Sequence, residues 1–144
     1  MPKKTDSGNP RDWLQYVKLD LDAVRLLAEN EVSFVVCKSK LAEALEKAMK
    51  ADLLERGWIL EKIHDLQKLN DYLADYDKSA AETLQPTVDE LAESYIEGRY
   101  PGFDLEEPQW PALRGLLDEI TRYVDGLGTF SVAEPRQSTD NVPN

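Results

Sequence analysis

Apolar residues recur every three or four positions in five separate stretches of this 144-residue chain. Such spacing places the apolar side chains on one face of an α-helix and the polar side chains on the other. The pattern predicts helices over about residues 10–30, 34–56, 64–76, 80–98 and 109–125. The first of them starts with Asn9 and Pro10, which suit the N-cap and the first helical position.

The second helix carries two apolar stripes instead of one. One stripe runs from Cys37 and Leu41 through several alanines, and the other contains Leu45 and Met49. Because two stripes need two sets of neighbours and alanine lets a neighbouring helix approach closely, we expect this helix to be central. Uncovered apolar surface also predicts a homodimer. Ser33 is the expected N-cap.

The junction after the second helix contains the single histidine of the chain. Gly57 is suited to end the helix with a positive φ angle. Trp58, Ile59 and Ile63 are expected to close the end of the bundle, and the third helix is then expected to start at His64.

Proline and glycine set two further boundaries. The apolar pattern predicts a fourth helix from about Ala80. Pro86 removes a backbone donor and clashes with the preceding turn, which favours a start at Gln85 or Pro86 with residues 80–84 as a separate turn. Gly126 and Gly128 are expected to end the fifth helix.

These segments together predict an all-α protein, an antiparallel up-and-down four-helix bundle with a fifth C-terminal helix. The bundle is expected to span residues 9–128, after a flexible N-terminal arm over residues 1–8. Residues 129–144 are polar, contain proline and lack periodicity, which predicts a disordered C-terminal tail. The length suits one domain.

Composition narrows the function classes. The chain has 28 acidic and 17 basic residues and a net charge of -11, which repels a phosphate backbone and disfavours nonspecific nucleic-acid binding. A single cysteine, Cys37, cannot form an internal disulfide, and no apolar run has the length of a membrane span or a secretion signal. We therefore expect a cytoplasmic protein without a membrane segment.

Three sequence blocks carry a family resemblance. They are LAEALEKAMKA at residues 41–51, EKIHDL at residues 61–66 and RYPG at residues 99–102. The order and spacing of these three blocks resemble those of a HEPN-domain protein of the stand-alone prokaryotic type. The resemblance covers about residues 13–127, over which the pattern is all-helical. The resemblance implies a bundle of four main helices plus a shorter fifth, usually paired as a homodimer.

The resemblance also implies a function. Stand-alone members often accompany a small nucleotidyltransferase encoded next door, and the domain resembles the helical part of kanamycin nucleotidyltransferase. The chain would then be a noncatalytic helper subunit that forms a nucleotide-facing wall, while the partner carries the metal-binding carboxylates and the chemistry. Whether it belongs to a toxin–antitoxin pair stays open.

The alternative is a HEPN-type ribonuclease. Those members resemble one another in an arginine followed four to six residues later by a histidine. Here the nearest arginine before His64 is Arg56, eight positions earlier and across Gly57, so that motif is absent. A ribonuclease would need a nonstandard set such as Arg56, His64 and Arg99, since catalytic groups depend on geometry.

Several polar residues, Arg56 among them, are candidates for ligand or partner binding. His64 and Asp65 lie at a predicted helix start, where backbone N–H groups attract anions, although both also suit local capping. Lys47 and Lys50 add positive charge on one side of the second helix, although helix lysines are mostly solvated and Glu43 and Glu46 are close enough to neutralise these two.

Arg99 and Tyr100 form a second candidate pair, at the end of the fourth helix. They suit a phosphate and a stacked base, while a helix-capping role is open as well. No Cys/His set surrounds His64, so neither a metal nor another cofactor is predicted.

Overall fold

The computed structural model describes residues 6–97 and 106–133, with side chains for residues 6–93 and 106–127. These residues form five α-helices and no β-strand, which confirms the prediction of an all-α fold. The helices are α1 (Pro10–Glu29), α2 (Phe34–Glu55), α3 (Leu66–Tyr76), α4 (Lys78–Glu97) and α5 (Trp110–Ala133). Within the described ranges, no helix has the length and apolarity to span a membrane. The up-and-down order stays a prediction.

The start of α1 follows the expected capping chemistry. The Asn9 side chain accepts a hydrogen bond from the backbone N–H of Arg11 at 3.0 Å, and Pro10 is the first helical residue. Before the helix, the Ser7 hydroxyl donates to Asp12 at 2.6 Å. Residues 6–8 of the predicted flexible arm are therefore tied to α1, whereas residues 1–5 lie outside the described residues.

The second helix is central, as its two apolar stripes predicted, because α2 packs against each of the other four helices. Cys37 is fully buried in the core, and this burial raises the pKa of its thiol. The helix ends as predicted: Gly57 has a φ of 100°, and the N–H of Trp58 donates to the carbonyl of Leu53 at 2.9 Å. This bond satisfies a carbonyl that the helix end leaves free.

Ser33 does not cap α2 in the expected way. It precedes the helix with a φ of 57° and its side chain makes no capping hydrogen bond. The turn from α1 is tight, and Glu31 also has a positive φ of 53°. In this left-handed conformation Ser33 shapes the turn instead of satisfying the first N–H groups of the helix.

Only one face of the segment between α2 and α3 packs against the end of the bundle. Trp58 is 9% exposed and its ring lies 6.0 Å from that of Tyr72. Ile59 is 83% exposed, so its predicted place at the end of the core is wrong. Consecutive side chains of an extended segment point in opposite directions, and only one of the two can face the core.

The third helix starts two residues later than predicted. Asp65 is the N-cap, and its carboxylate accepts a hydrogen bond from the N–H of Lys68 at 3.1 Å. His64 therefore precedes the helix. A carboxylate is among the best caps, which explains why the boundary falls after Asp65.

The fourth helix runs through Pro86, so the expected start at Gln85 or Pro86 is wrong. The helix begins at Lys78, and the carboxylate of Asp77 accepts a hydrogen bond from the N–H of Ala80 at 3.0 Å. The turns before the proline bury Ala81 and Leu84. This apolar burial and the cap offset the donor that proline removes.

The fifth helix continues past Gly126 and Gly128 to Ala133, so the predicted stop at these glycines is wrong. Leu127, between the two glycines, is 8% exposed and belongs to the core. Packing thus keeps the helix going where local propensity favours an end. The first five residues of the predicted tail are helical, and residues 134–144 lie outside the described residues.

Candidate functional site

Charged side chains are buried along α2. Lys38, Glu46, Lys50 and Asp52 are each at most 5% exposed. The sequence pattern placed Lys50 beside Lys47 in solvent, and that prediction is wrong because α2 packs against four other helices. A buried charge is tolerated only when it is paired, so each of these residues requires a partner.

The first set of partners surrounds Glu46. Its Oε2 lies 3.0 Å from the Lys50 ammonium and 2.7 Å from Nδ1 of His64. The Lys50 ammonium also lies 5.2 Å from the ring centroid of Trp13, whose indole N–H donates to the carbonyl of Ser7 at 2.7 Å. We call Trp13, Glu46, Lys50 and His64 the Glu46 cluster. It connects α1, α2 and the segment before α3.

His64 covers this cluster from outside. Its side chain is 70% exposed, whereas that of Glu46 is 7% exposed. The anion-binding argument made for His64 does not hold, since the residue is not at a helix start and a carboxylate already lies at its Nδ1. Asp65 uses its carboxylate for the cap of α3. A role for either residue in binding a partner stays a prediction.

Arg56 belongs to a second set, around Asp52. Its Nε lies 2.8 Å from one Asp52 oxygen, and its Nη2 lies 3.3 Å from Asp77. The Tyr123 hydroxyl donates to the other Asp52 oxygen at 2.7 Å. The hydrogen bond to Asp52 raises the pKa of Arg56, and burial together with Asp52 raises the pKa of Tyr123 well above its usual value. Arg56 thus joins helices together.

Lys47 belongs to a third set, centred on Asp20. The Lys47 ammonium lies 2.8 Å from Asp20 and 5.6 Å from the centre of the Tyr16 ring. Lys40 also approaches Asp20, at 3.7 Å. The prediction of Glu43 as the neutralising partner of Lys47 is wrong, because Glu43 pairs with Lys40. Asp20 is 8% exposed because it faces α2.

A groove of about 600 Å³ runs beside Lys47 and the start of α1. Trp13 and Tyr16 line it, and Asp6 and Asp12 supply negative charge. Its volume lies in the range of small-molecule sites. Two carboxylates beside a lysine that is already paired disfavour a phosphate there.

The predicted site residues thus fall in separate places. Lys47 lies near the Glu46 cluster, which contains His64. The Lys47 ammonium contacts the Tyr16 ring of α1, and the Lys50 ammonium of the cluster contacts the Trp13 ring, one turn earlier on α1. Arg56 bonds to different carboxylates from those of His64. Arg99 and Tyr100 lie outside the described residues. Within the described part of the chain, no group of three or more Cys, His, Asp or Glu residues is arranged to hold a metal.

The outer face of α1 carries apolar residues without a covering neighbour within the described chain. Tyr16, Leu19 and Leu26 are 60–62% exposed, and Ala23 between them is exposed as well. These four residues, which we call the α1 stripe, follow one another at spacings of three, four and three. That is the spacing by which one helix packs against another.

Comparison with known protein families identifies a match. A model of the HEPN domain family matches residues 10–125. The match covers α1 to α4 and most of α5, together with all six predicted binding residues. No curated protein and no solved structure matches the chain.

Proposed function

The chain belongs to the HEPN domain family, and from this premise we propose that it is a noncatalytic binding subunit. It acts as a homodimer and as the partner of a small nucleotidyltransferase. The observation that carries the proposal is the α1 stripe. Binding of a nucleotide in a groove near His64, Arg99 and Tyr100 stays a prediction.

The apolar side chains of the α1 stripe favour a docking role. Exposed large apolar residues that form one continuous stripe are typical of protein interfaces, whereas singly scattered ones are not. Leu19 and Leu26 lie two helical turns apart on the same face. A helix of a second copy laid across this face would bury both leucines and the Tyr16 ring.

The existing side-chain pairs favour a noncatalytic role. Lys47, Arg56 and His64 each lie within 2.8 Å of a carboxylate oxygen of the same chain. A residue that stabilises a phosphodiester transition state must direct its charge at the substrate. Lys47 and Arg56 instead direct their charge at Asp20 and Asp52, and the His64 ring lies against Glu46.

Co-expression with the product of the adjacent reading frame tests the proposal. We expect a short protein with a Gly-Ser turn and an Asp-x-Asp pair to copurify with this chain. Light scattering of the chain alone at roughly tens of micromolar is expected to give twice the 16.4 kDa mass. A monomer, or failure to copurify, contradicts the proposal.

Charge placed on the α1 stripe makes the test specific. The double variant Leu19→Glu/Leu26→Glu is expected to be monomeric, because two carboxylates then lie in each half of the interface. The matched control is Ile59→Glu, which changes another exposed aliphatic residue, outside the stripe. Degradation of RNA by the purified chain, lost in His64→Ala, would favour the ribonuclease alternative instead.

A further inference from the structure

The side chains of the α1 stripe differ in size in a definite order. Tyr16, Leu19 and Leu26 are large and 60–62% exposed, whereas Ala23, between the two leucines, presents only a methyl group. Where two helices pack closely, a large side chain of one fits best opposite a small side chain of the other. The order of sizes along the stripe therefore bears on the direction of any helix that packs on it.

A second copy of α1 that runs antiparallel fits this order. When Leu19 of one copy lies opposite Ala23 of the other, the two-fold symmetry of a homodimer repeats the same contact in the other half. The spacings of three, four and three read the same in both directions, so this register also puts Tyr16 opposite Leu26. The stripe is thus complementary to an inverted copy of itself.

A parallel copy of α1 fits less well. In a parallel pair each residue of the stripe faces its own counterpart, so Leu19 meets Leu19 and Ala23 meets Ala23. The paired leucines hold the helices apart at a level where the paired alanines leave a gap, and side chains that border a gap lose packing contacts. The sizes of the side chains therefore favour the antiparallel pair.

The polar residues at the two ends of the stripe favour the same direction. The next positions on this face are Asp12, four residues before Tyr16, and Asn30, four residues after Leu26, and both are exposed. In the antiparallel register Asp12 lies opposite Asn30 of the other copy. One N–H of the Asn30 amide is bonded to the carbonyl of Leu26, and its second N–H can donate to the carboxylate. In a parallel pair two Asp12 carboxylates would face and repel each other.

The balance of charge on α1 permits contact between two copies of an acidic chain. The exposed charged residues of α1 are three basic and three acidic ones, namely Arg11, Asp12, Lys18, Asp22, Arg25 and Glu29. By contrast, α4 contains one basic and five acidic residues. Because the chain has a net charge of -11, two copies repel each other at a surface such as that of α4 but much less at α1.

We infer that the α1 stripe binds the α1 stripe of a second copy in the antiparallel direction, with Leu19 of each copy opposite Ala23 of the other. The inference rests on the proposed homodimer and assigns the helix, the direction and the register of its interface. Tyr16 also lines the groove beside Lys47. Since Leu26 of the second copy lies against Tyr16, each groove is bordered by both copies.

Disulfide crosslinking tests the direction. Leu19→Cys and Ala23→Cys are prepared separately in the full chain and oxidised alone and as an equimolar mixture. We expect the mixture to form the disulfide-linked dimer at least about tenfold faster than either variant alone, because a disulfide needs Cα atoms within about 7 Å. In the antiparallel pair the unlike positions are that close, whereas like positions are displaced by four residues, or about 6 Å, along the helix axes.

Two controls accompany the crosslinking. Cys37 is fully buried, so the parent chain is expected to remain uncrosslinked. Ile59→Cys places a thiol at another exposed aliphatic position, outside the stripe, and is expected to crosslink no faster than the parent.

The outcomes separate this inference from the proposed function. If each stripe variant crosslinks faster with itself than in the mixture, the pair is parallel and the inference is overturned, while the homodimer stands. The same holds if the parent is a dimer but the mixture crosslinks no faster than Ile59→Cys. A monomeric parent in light scattering contradicts both the homodimer and the inference.

An exchange of side-chain sizes tests the register without a covalent bond. Ala23→Leu places a leucine opposite Leu19, so the Kd of the dimer, measured by analytical ultracentrifugation, is expected to rise at least about tenfold. The double variant Leu19→Ala/Ala23→Leu restores one large and one small residue to each contact, and its Kd is expected within about threefold of that of the parent. An unchanged or tighter dimer in Ala23→Leu, as a parallel pair with a gap between its alanines requires, overturns the inference.

Discussion

The outer face of α1 and the interior of α2 reverse the usual distribution of residue types. The α1 stripe exposes about 60% of two leucines, Leu19 and Leu26, whereas Lys50 of α2 is 1% exposed. The two helices differ in their neighbours: among the described helices, α2 packs against four others, and α1 packs against two, α2 and α5. Exposure in this fold is therefore set by the number of neighbouring helices as much as by the type of residue.

The two regions also differ in whether their side chains find partners within the described chain. The buried charges of α2 bond to Glu90 of α4, to Tyr123 of α5 and to His64 in the segment before α3. The leucines of the α1 stripe have no such partner in the described chain. The interior of α2 is thus complete within one chain, whereas the stripe calls for a partner from outside.

The largest expected effect comes from breaking a buried pair on α2. Lys50→Met leaves the buried Glu46 with one cation fewer, and we expect it to lower the free energy of unfolding by about 3 kcal/mol. Urea denaturation monitored by circular dichroism measures this change.

Lys47→Met is the matched control for Lys50→Met. It removes the same charge one turn earlier on α2, but the Lys47 side chain is 24% exposed and Asp20 keeps Lys40 nearby. We expect a loss of about 1 kcal/mol or less. Equal losses in the two lysine variants would show that burial on α2 does not decide the energy of these pairs.

A smaller effect is expected at the bond between α2 and α5. Tyr123→Phe removes the hydrogen bond to Asp52 but leaves Arg56 on that carboxylate. Since the acceptor is charged and buried, we expect a loss of about 2 kcal/mol near pH 8, measured by urea denaturation. No loss would mean that Arg56 alone satisfies Asp52.

The same variant has a defined pH dependence. The folded chain raises the pKa of Tyr123 above its usual value of 10.0. The folded state therefore keeps the proton where the unfolded state loses it, and this contribution is complete below pH 10 and falls as the pH rises further. The stability difference between the parent and Tyr123→Phe is expected to shrink above pH 10. A constant difference up to pH 11 would contradict the raised pKa.

The smallest effect on folding is expected on the α1 stripe. Leu26→Gln replaces an exposed leucine, so the unfolding free energy, measured in a Leu19→Glu background in which we expect the dimer to be disrupted, is expected to change by about 0.5 kcal/mol or less. In the otherwise unchanged chain the same substitution is expected to weaken the dimer. A loss of monomer stability similar to that of Lys50→Met would mean that the stripe packs within its own chain.

The sequence predicted where the five helices lie better than it predicted the residues at which they start and end. Apolar periodicity located all five helices, and Asn9 and Gly57 marked a start and an end correctly because their effects are local. Pro86 and Gly126 misled the prediction because both lie in helices whose neighbouring turns bury apolar residues, and this packing outweighs local propensity. The number of apolar contacts that a helical turn makes cannot be read from the amino-acid sequence of that turn.

The candidate site was less predictable. Lys47 and Lys50 stand three positions apart on one helix, yet Lys47 is partly buried and Lys50 lies in the core. The two apolar stripes of α2 contained the missing signal: a helix covered on two sides has little surface left for its charged residues. Which carboxylate each lysine meets depends on the register of α1 and of the segment containing His64.

Sequence alone determined the membership in an all-helical family and the central position of α2, because periodicity and small residues act within a few turns of one helix. Tertiary structure decided which charges are buried, which cations are already paired and which apolar face is left open. Those properties depend on contacts between residues far apart in the chain, such as Asp52 with Tyr123 and Lys38 with Glu106. Only the packed arrangement of the helices brings such residues within hydrogen-bond distance.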